Sequence, residues 1–239
     1  MIKRKTVKRH KVTEAKPIKK KVAIPKGVAT KYPPLTSEDQ YKRTRKEQNA
    51  LNRSRSKSME NRVAKVLNGR RVLLSGAAAA YKGDVEVRFN NYPKGYIVEC
   101  KLSAQSKEAE PHIKLQFRWF PKMHEEATNM GSAFSLLIVN FLGNTRDYVF
   151  VRQDIVDMLV RKYHTPYADI VYDLSTQTEV LDLRTNKSGK ALIGYTLQRS
   201  ELESHMKDVR GYKGVRVLVP DGEYLVLHID AWAQFVEHM

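Results

Sequence analysis

Residues 133–141, Ala-Phe-Ser-Leu-Leu-Ile-Val-Asn-Phe, form a nearly unbroken apolar run. It is too short to cross a membrane and reads as a strand buried within a sheet. Such a strand needs neighbours, and the flanking sequence predicts them. Val85, Val87 and Phe89 alternate with Asp84, Glu86 and Arg88, as in a half-buried strand. Asn90-Asn91-Tyr92-Pro93-Lys94-Gly95 is turn chemistry, and a strand over 96–102 follows it. An earlier strand is predicted over 71–75. Met59, Val63, Val66 and Leu67 recur at helical steps, with Ser58-Met59-Glu60 opening a helix and Gly69 stopping it. A polar loop is predicted up to about 112, and Pro121 is placed at the first position of a helix over 121–130. A strand over 147–151 and a helix over 154–161 complete an α/β unit with a mixed sheet.

Residues 164–239 predict an α+β extension. Strands are expected over 168–173, 179–183 and 191–197. A capping box at Ser200–Glu203 precedes a short helix, and a hairpin crosses Pro220-Asp221-Gly222. Asp230 caps the last helix. Asp147-Tyr-Val-Phe-Val and Glu223-Tyr-Leu-Val-Leu echo each other weakly, each followed by a helix.

Charge divides the chain. Of 43 Lys+Arg and 26 Asp+Glu in 239 residues, the first 58 residues hold 19 and 4, so +15 of the net +17 lies there. This segment is poor in apolar side chains and carries Pro17, Pro25, Pro33 and Pro34. Residues 1–57 therefore read as a disordered basic arm. Its clusters Lys3-Arg4-Lys5, Lys19-Lys20-Lys21, Arg43, Arg45, Arg53 and Arg55 suit phosphate contacts on DNA. A single cysteine, Cys100, excludes a disulfide scaffold and a cysteine-rich zinc module. The seven histidines show no metal-ligand spacing, and no glycine-rich phosphate loop is present. With no apolar leader and no membrane-length run, the expected setting is intracellular, cytoplasmic or nucleoid-associated, and not secreted.

One constellation carries chemistry. Glu99 and Lys101 share one face of the strand over 96–102, and Cys100 points to the other. The turn before it brings Asp84 beside Glu99. Two carboxylates at one sheet edge repel unless a cation lies between them, and a hard divalent ion suits the pair. Lys101 is then placed to orient or help deprotonate a water, or to stabilise charge developing on a phosphate. Alone, Glu-x-Lys means little, since Glu14-Ala15-Lys16 repeats it in the arm. The second copy follows Tyr96-Ile97-Val98 and has Gly83-Asp84 on the preceding strand and Glu60 on a preceding helix.

That set resembles the PD-(D/E)xK nuclease superfamily over residues 58–160. Within it the Holliday junction resolvases, archaeal-type and RecU-type, are the most similar. Gly83 stands where the motif has proline. The resemblance implies a restriction-endonuclease-like core, over 58–163, with a central mixed sheet flanked by helices. It implies Mg²⁺ or Mn²⁺ held by Asp84, Glu99 and the Cys100 carbonyl, with Glu60 on a metal water or second metal. Lys101 would position the attacking water, and Ser75 and Gln116 would touch phosphate or metal water. The expected activity is metal-dependent endodeoxyribonuclease cleavage of branched DNA, in recombination or repair. Symmetric cutting of a four-way junction implies a homodimer. The alternatives are a restriction-like or repair endonuclease and, in another class, a non-catalytic DNA-binding protein.

Overall fold

In the computed structural model the residues described are 37–72, 83–88, 94–103, 110–141, 146–186 and 188–237. Contacts divide the chain into two units, 1–45 and 46–239.

Helix α1 spans Ser37–Val66. It starts some twenty residues before the predicted helix and takes in the last third of the segment read as a disordered arm. The last proline before the helix is Pro34, and beyond it Lys, Arg, Glu, Gln, Ala and Leu supply helix propensity without an apolar stripe. The helix ends on Asn68 (φ 50°), with the Gly69 N–H donating to the Ala64 carbonyl at 2.8 Å. The left-handed residue is thus Asn68, not Gly69. Gly69 meets a different demand, since a Cβ there would fall 2.8 Å from the Glu86 carbonyl oxygen.

Strands β1 (Arg70–Arg71), β2 (Val85–Val87) and β3 (Tyr96–Leu102) pair as an antiparallel meander. Strand β4 (His112–Gln116), in a stretch from which no strand was expected, leads to α2 (Trp119–Asn129). Pro121 is the third residue of α2, not its first. The N–H groups of a first helical turn have no intrahelical acceptor, so proline is tolerated there. Gly131 (φ 67°) closes the helix, as expected. Strand β5 (Ser135–Asn140) is the predicted apolar strand, with all six residues buried. It runs parallel to β3, beside it, with α2 in the crossover.

Then come β6 (Asp147–Arg152) and α3 (Gln153–Lys162). The next element corrects the sequence reading: 168–173 is not a strand but part of helix α4 (Pro166–Gln177). Thr165 caps it by accepting the Ala168 N–H at 3.1 Å, and Pro166 takes the first position. Strands β7 (Val180–Asp182) and β8 (Gly194–Gln198) precede α5 (Arg199–His205). Here the capping box is Gln198 with Glu201 rather than Ser200 with Glu203. Strand β9 (Lys207–Val209), the hairpin β10 (Tyr212–Val219) and β11 (Gly222–His228), and α6 (Ile229–Glu237) complete the chain.

Among the described residues, nine strands form one mixed sheet in the order β1-β2-β3-β5-β6-β11-β10-β7, with β9 against β10. Strands β4 and β8 form a separate antiparallel pair. Residues 164–239 therefore extend the same sheet through β11, β10 and β7. The echoing segments are direct neighbours: β6 and β11 pair antiparallel, each followed by a helix.

Both sheet faces are covered. On one, α1, α3, α4 and α6 bring Met59, Val63, Leu159, Leu174 and Trp232 against Val98, Ile138, Val149 and Leu225. On the other, α2, α5, β4 and β8 bring Phe120, Leu202, Leu115 and Leu197 against Leu137, Tyr148 and Val217. The alternation along β3 follows: Val98 and Cys100 face the first layer, Glu99 and Lys101 the second.

Candidate active site

The β2–β3 register pairs Val85 with Val98 and stops there, so β3 runs on beyond its neighbour. Asp84 sits at that point. Gly83 (φ 79°) turns the chain into it, and the Asp84 N–H donates to the Val98 carbonyl at 2.7 Å. The Asp84 carboxylate, through Oδ2, accepts the Cys100 backbone N–H at 2.8 Å. In an extended strand the N–H and C=O of one residue point to the same edge, so the Cys100 carbonyl faces the edge that Asp84 occupies. Gly95 keeps the strands close: a Cβ there would lie 2.0 Å from the Val87 carbonyl oxygen.

Burial, with the nearby Glu99 carboxylate adding to it, pushes the Asp84 carboxyl up to about 6; Glu60 adds to the rise, while the Cys100 N–H and Lys101 oppose it. Burial and the neighbouring carboxylates together thus disfavour a negative charge on Asp84. Burial and the surrounding carboxylates, Asp84 first, raise the Cys100 thiol well above its ordinary value. A thiol in that state is a packing group rather than a nucleophile.

Lys101 and Glu99, both half-buried, form an ion pair on one strand face. The Lys101 ammonium also stands 5.3 Å from the centre of the Trp119 ring, at the start of α2. Its long side chain is thereby fixed between a carboxylate and an aromatic face. Glu60 approaches from α1 and pairs with Arg71 of β1 at 3.1 Å.

Asp84, Glu99, Cys100 and Lys101 thus lie at one end of β3, while Glu60 lies on α1, in the layer opposite the face that carries Glu99 and Lys101, and pairs with Arg71. Among the described residues, no hydrogen bond joins Gln116 to them. It ends β4 and accepts from Arg118 at 2.8 Å, three residues before Trp119. Ser75 lies outside the described residues, as do Lys3, Arg4, Lys5, Lys19, Lys20 and Lys21. Arg43 lies within α1; Arg45 and Arg53 are exposed, and Arg55 is half-buried. Glu86 is held by Arg70 at 3.0 Å and by Arg88 at 3.1 Å, away from the cluster.

Sequence reasoning missed the support beneath the site. Arg62, half a turn along α1 from Glu60, grips Asp147 through two bonds of 2.8 and 2.6 Å. Asp147 is buried at the head of β6 and also accepts from Asn140 of β5 at 2.9 Å. The available signal was an aspartate opening an apolar strand, because a buried carboxylate needs a partner. A second polar cluster joins His124 of α2 to Ser135 (2.9 Å) and Tyr224 (2.7 Å). Ser135 is buried, so this network anchors α2 to the start of β5.

Among the described residues, no three His, Cys, Asp or Glu side chains gather to hold a metal ion. The donors at the end of β3 are two carboxylates and a backbone carbonyl, a set that leaves a hard cation most of its waters. Among those residues, too, no helix is long and apolar enough to cross a membrane. Compared with family models, with curated proteins and with solved structures, the chain matches none.

Proposed function

We propose that this chain is a divalent-metal-dependent endodeoxyribonuclease of the junction-resolving kind. The observation that carries the reading is the position of Asp84, fixed on the Cys100 N–H beside Glu99, with burial and the Glu99 carboxylate raising its carboxyl to about 6. The order α1, β1-β2-β3 meander, α2, then β5 parallel to β3 supports the nuclease resemblance, because it sets Asp84 and Glu99 at the same strand end.

Asp84, Glu99 and the Cys100 carbonyl are the residues that would hold Mg²⁺ or Mn²⁺. The ion, when bound, supplies charge that acidifies water and neutralises the phosphate. Lys101 is the positioning cation. Its ammonium, paired with Glu99 and held against the Trp119 ring, would orient water or phosphate beside an ion that Asp84 and Glu99 would hold. Glu60, balanced by Arg71, adds negative charge behind Asp84 without crowding it. Symmetric cutting calls for two copies of the chain.

The test is cleavage of a four-way junction, linear duplex, flap and single strand at one salt concentration with Mg²⁺. Paired cuts in the junction support the reading. Cutting of linear duplex at defined sites would replace it with a restriction-like activity, and no cutting at all with a DNA-binding role.

A further inference from the structure

Helix α1 does more than supply Glu60. Every residue from Lys46 to Ser58 is exposed except Arg55, which is half-buried, so this stretch does not serve the core. Its sequence is Lys-Glu-Gln-Asn-Ala-Leu-Asn-Arg-Ser-Arg-Ser-Lys-Ser, four cations against one anion. A bare helix of this length is marginal in water on propensity alone. Lys46, Asn49, Arg53 and Lys57 recur at steps of three and four, and the next step is Glu60. These five positions form one stripe. Arg53 lies about 10 Å along the axis from Glu60, and Lys46 about 21 Å. The stripe thus runs from the candidate active site out along an exposed basic helix.

We propose that this stripe seats in the major groove of duplex DNA and leads that duplex to the site beside Glu60. The claim rests on the reading that the chain acts on DNA and goes beyond it, because it assigns a groove and a docking element. A B-form major groove, about 12 Å wide, admits an α-helix. Lys46, Arg53 and Lys57 meet phosphates, and Asn49 has the donor–acceptor pair that matches an adenine edge. Charge complementarity selects the occupant. Shape selects among nucleic acids, since the deep, narrow major groove of A-form RNA shuts a helix out.

The experiment uses the full chain carrying Glu99→Gln, so that DNA stays intact. Affinity for a junction is read over a range of KCl concentrations, together with dimethyl sulfate reactivity of guanine N7, which lies in the major groove. The expected result is N7 protection in two symmetry-related arms, one for each copy of the chain, lost in Arg53→Ala/Lys57→Ala. That variant also binds about tenfold more weakly, with a salt slope smaller by about two. Arg184→Ala, an exposed arginine beyond β7, leaves both readouts unchanged. The proposal is overturned if guanine N7 is never protected, if duplex RNA binds as tightly as duplex DNA, or if Arg184→Ala weakens binding as much as the pair. Cleavage by the protein with native Glu99 is scored separately. A chain that protects N7 but never cuts fails only the nuclease reading.

Discussion

The Asp84 carboxylate accepts the backbone N–H of Cys100 at 2.8 Å, across a strand pair that has just ended. That bond fixes one acidic group beside Glu99 and turns a local β geometry into a candidate cation site.

Asp84 makes stability depend on pH. Its carboxyl is raised from 3.8 to about 6, so its contribution to folding is intact below pH 3.8 and lost as pH rises through 6. Asp84→Asn can still accept the Cys100 N–H and removes that loss. In metal-free urea unfolding, the variant is more stable than wild type by about 2–3 kcal/mol at pH 8, and the difference closes near pH 4. Equal stabilities at both pH values would refute the charge conflict.

Lys101→Met keeps the stem but removes the ammonium. Cleavage falls by about 10²–10³-fold with DNA affinity little changed. Trp119→Leu gives a smaller loss of the same kind, since it frees the ammonium without removing it. Single-turnover cleavage and equilibrium binding separate the two effects.

Arg62 carries structural weight. Among the described residues, Arg62→Met leaves the buried Asp147 carboxylate with Asn140 as its remaining side-chain donor. We expect a loss of about 2–4 kcal/mol in denaturant unfolding, most of it recovered by adding Asp147→Asn, which removes the stranded charge.

Two glycines behave differently. Gly95→Ala drives a Cβ to 2.0 Å from the Val87 carbonyl oxygen. The β2–β3 pairing must open, costing more than about 3 kcal/mol and disordering Asp84. At Gly131 there is open space and only a positive φ, so Gly131→Ala costs about 1–2 kcal/mol. Thermal unfolding of the two variants shows the contrast.

What could be read in the sequence follows from where its signals come from. Strand β3 was legible to the residue because turn chemistry precedes an apolar run, and β5 because burial on both faces leaves no polar alternation. Asp84, Glu99 and Lys101 came with them, since period-two spacing fixes the face. Helix α4 was misread because Ile170, Val171 and Tyr172 favour strands, although Thr165-Pro166 announced a helix start. The N-terminal part of α1 was missed because hydrophobic periodicity reports burial, and residues 45–54 are exposed. The Arg62–Asp147 pair was illegible because its partners are 85 residues apart and only the sheet order joins them.

The most direct measurement is cleavage of a four-way junction with and without Mg²⁺, by wild type and by Glu99→Gln, alongside Mg²⁺ titration of each protein. The account predicts paired cuts by wild type only with Mg²⁺, and neither cuts nor Mg²⁺ binding in Glu99→Gln despite retained DNA binding. Mg²⁺-independent activity, or a Glu99→Gln protein that binds Mg²⁺ and behaves as wild type, would contradict it.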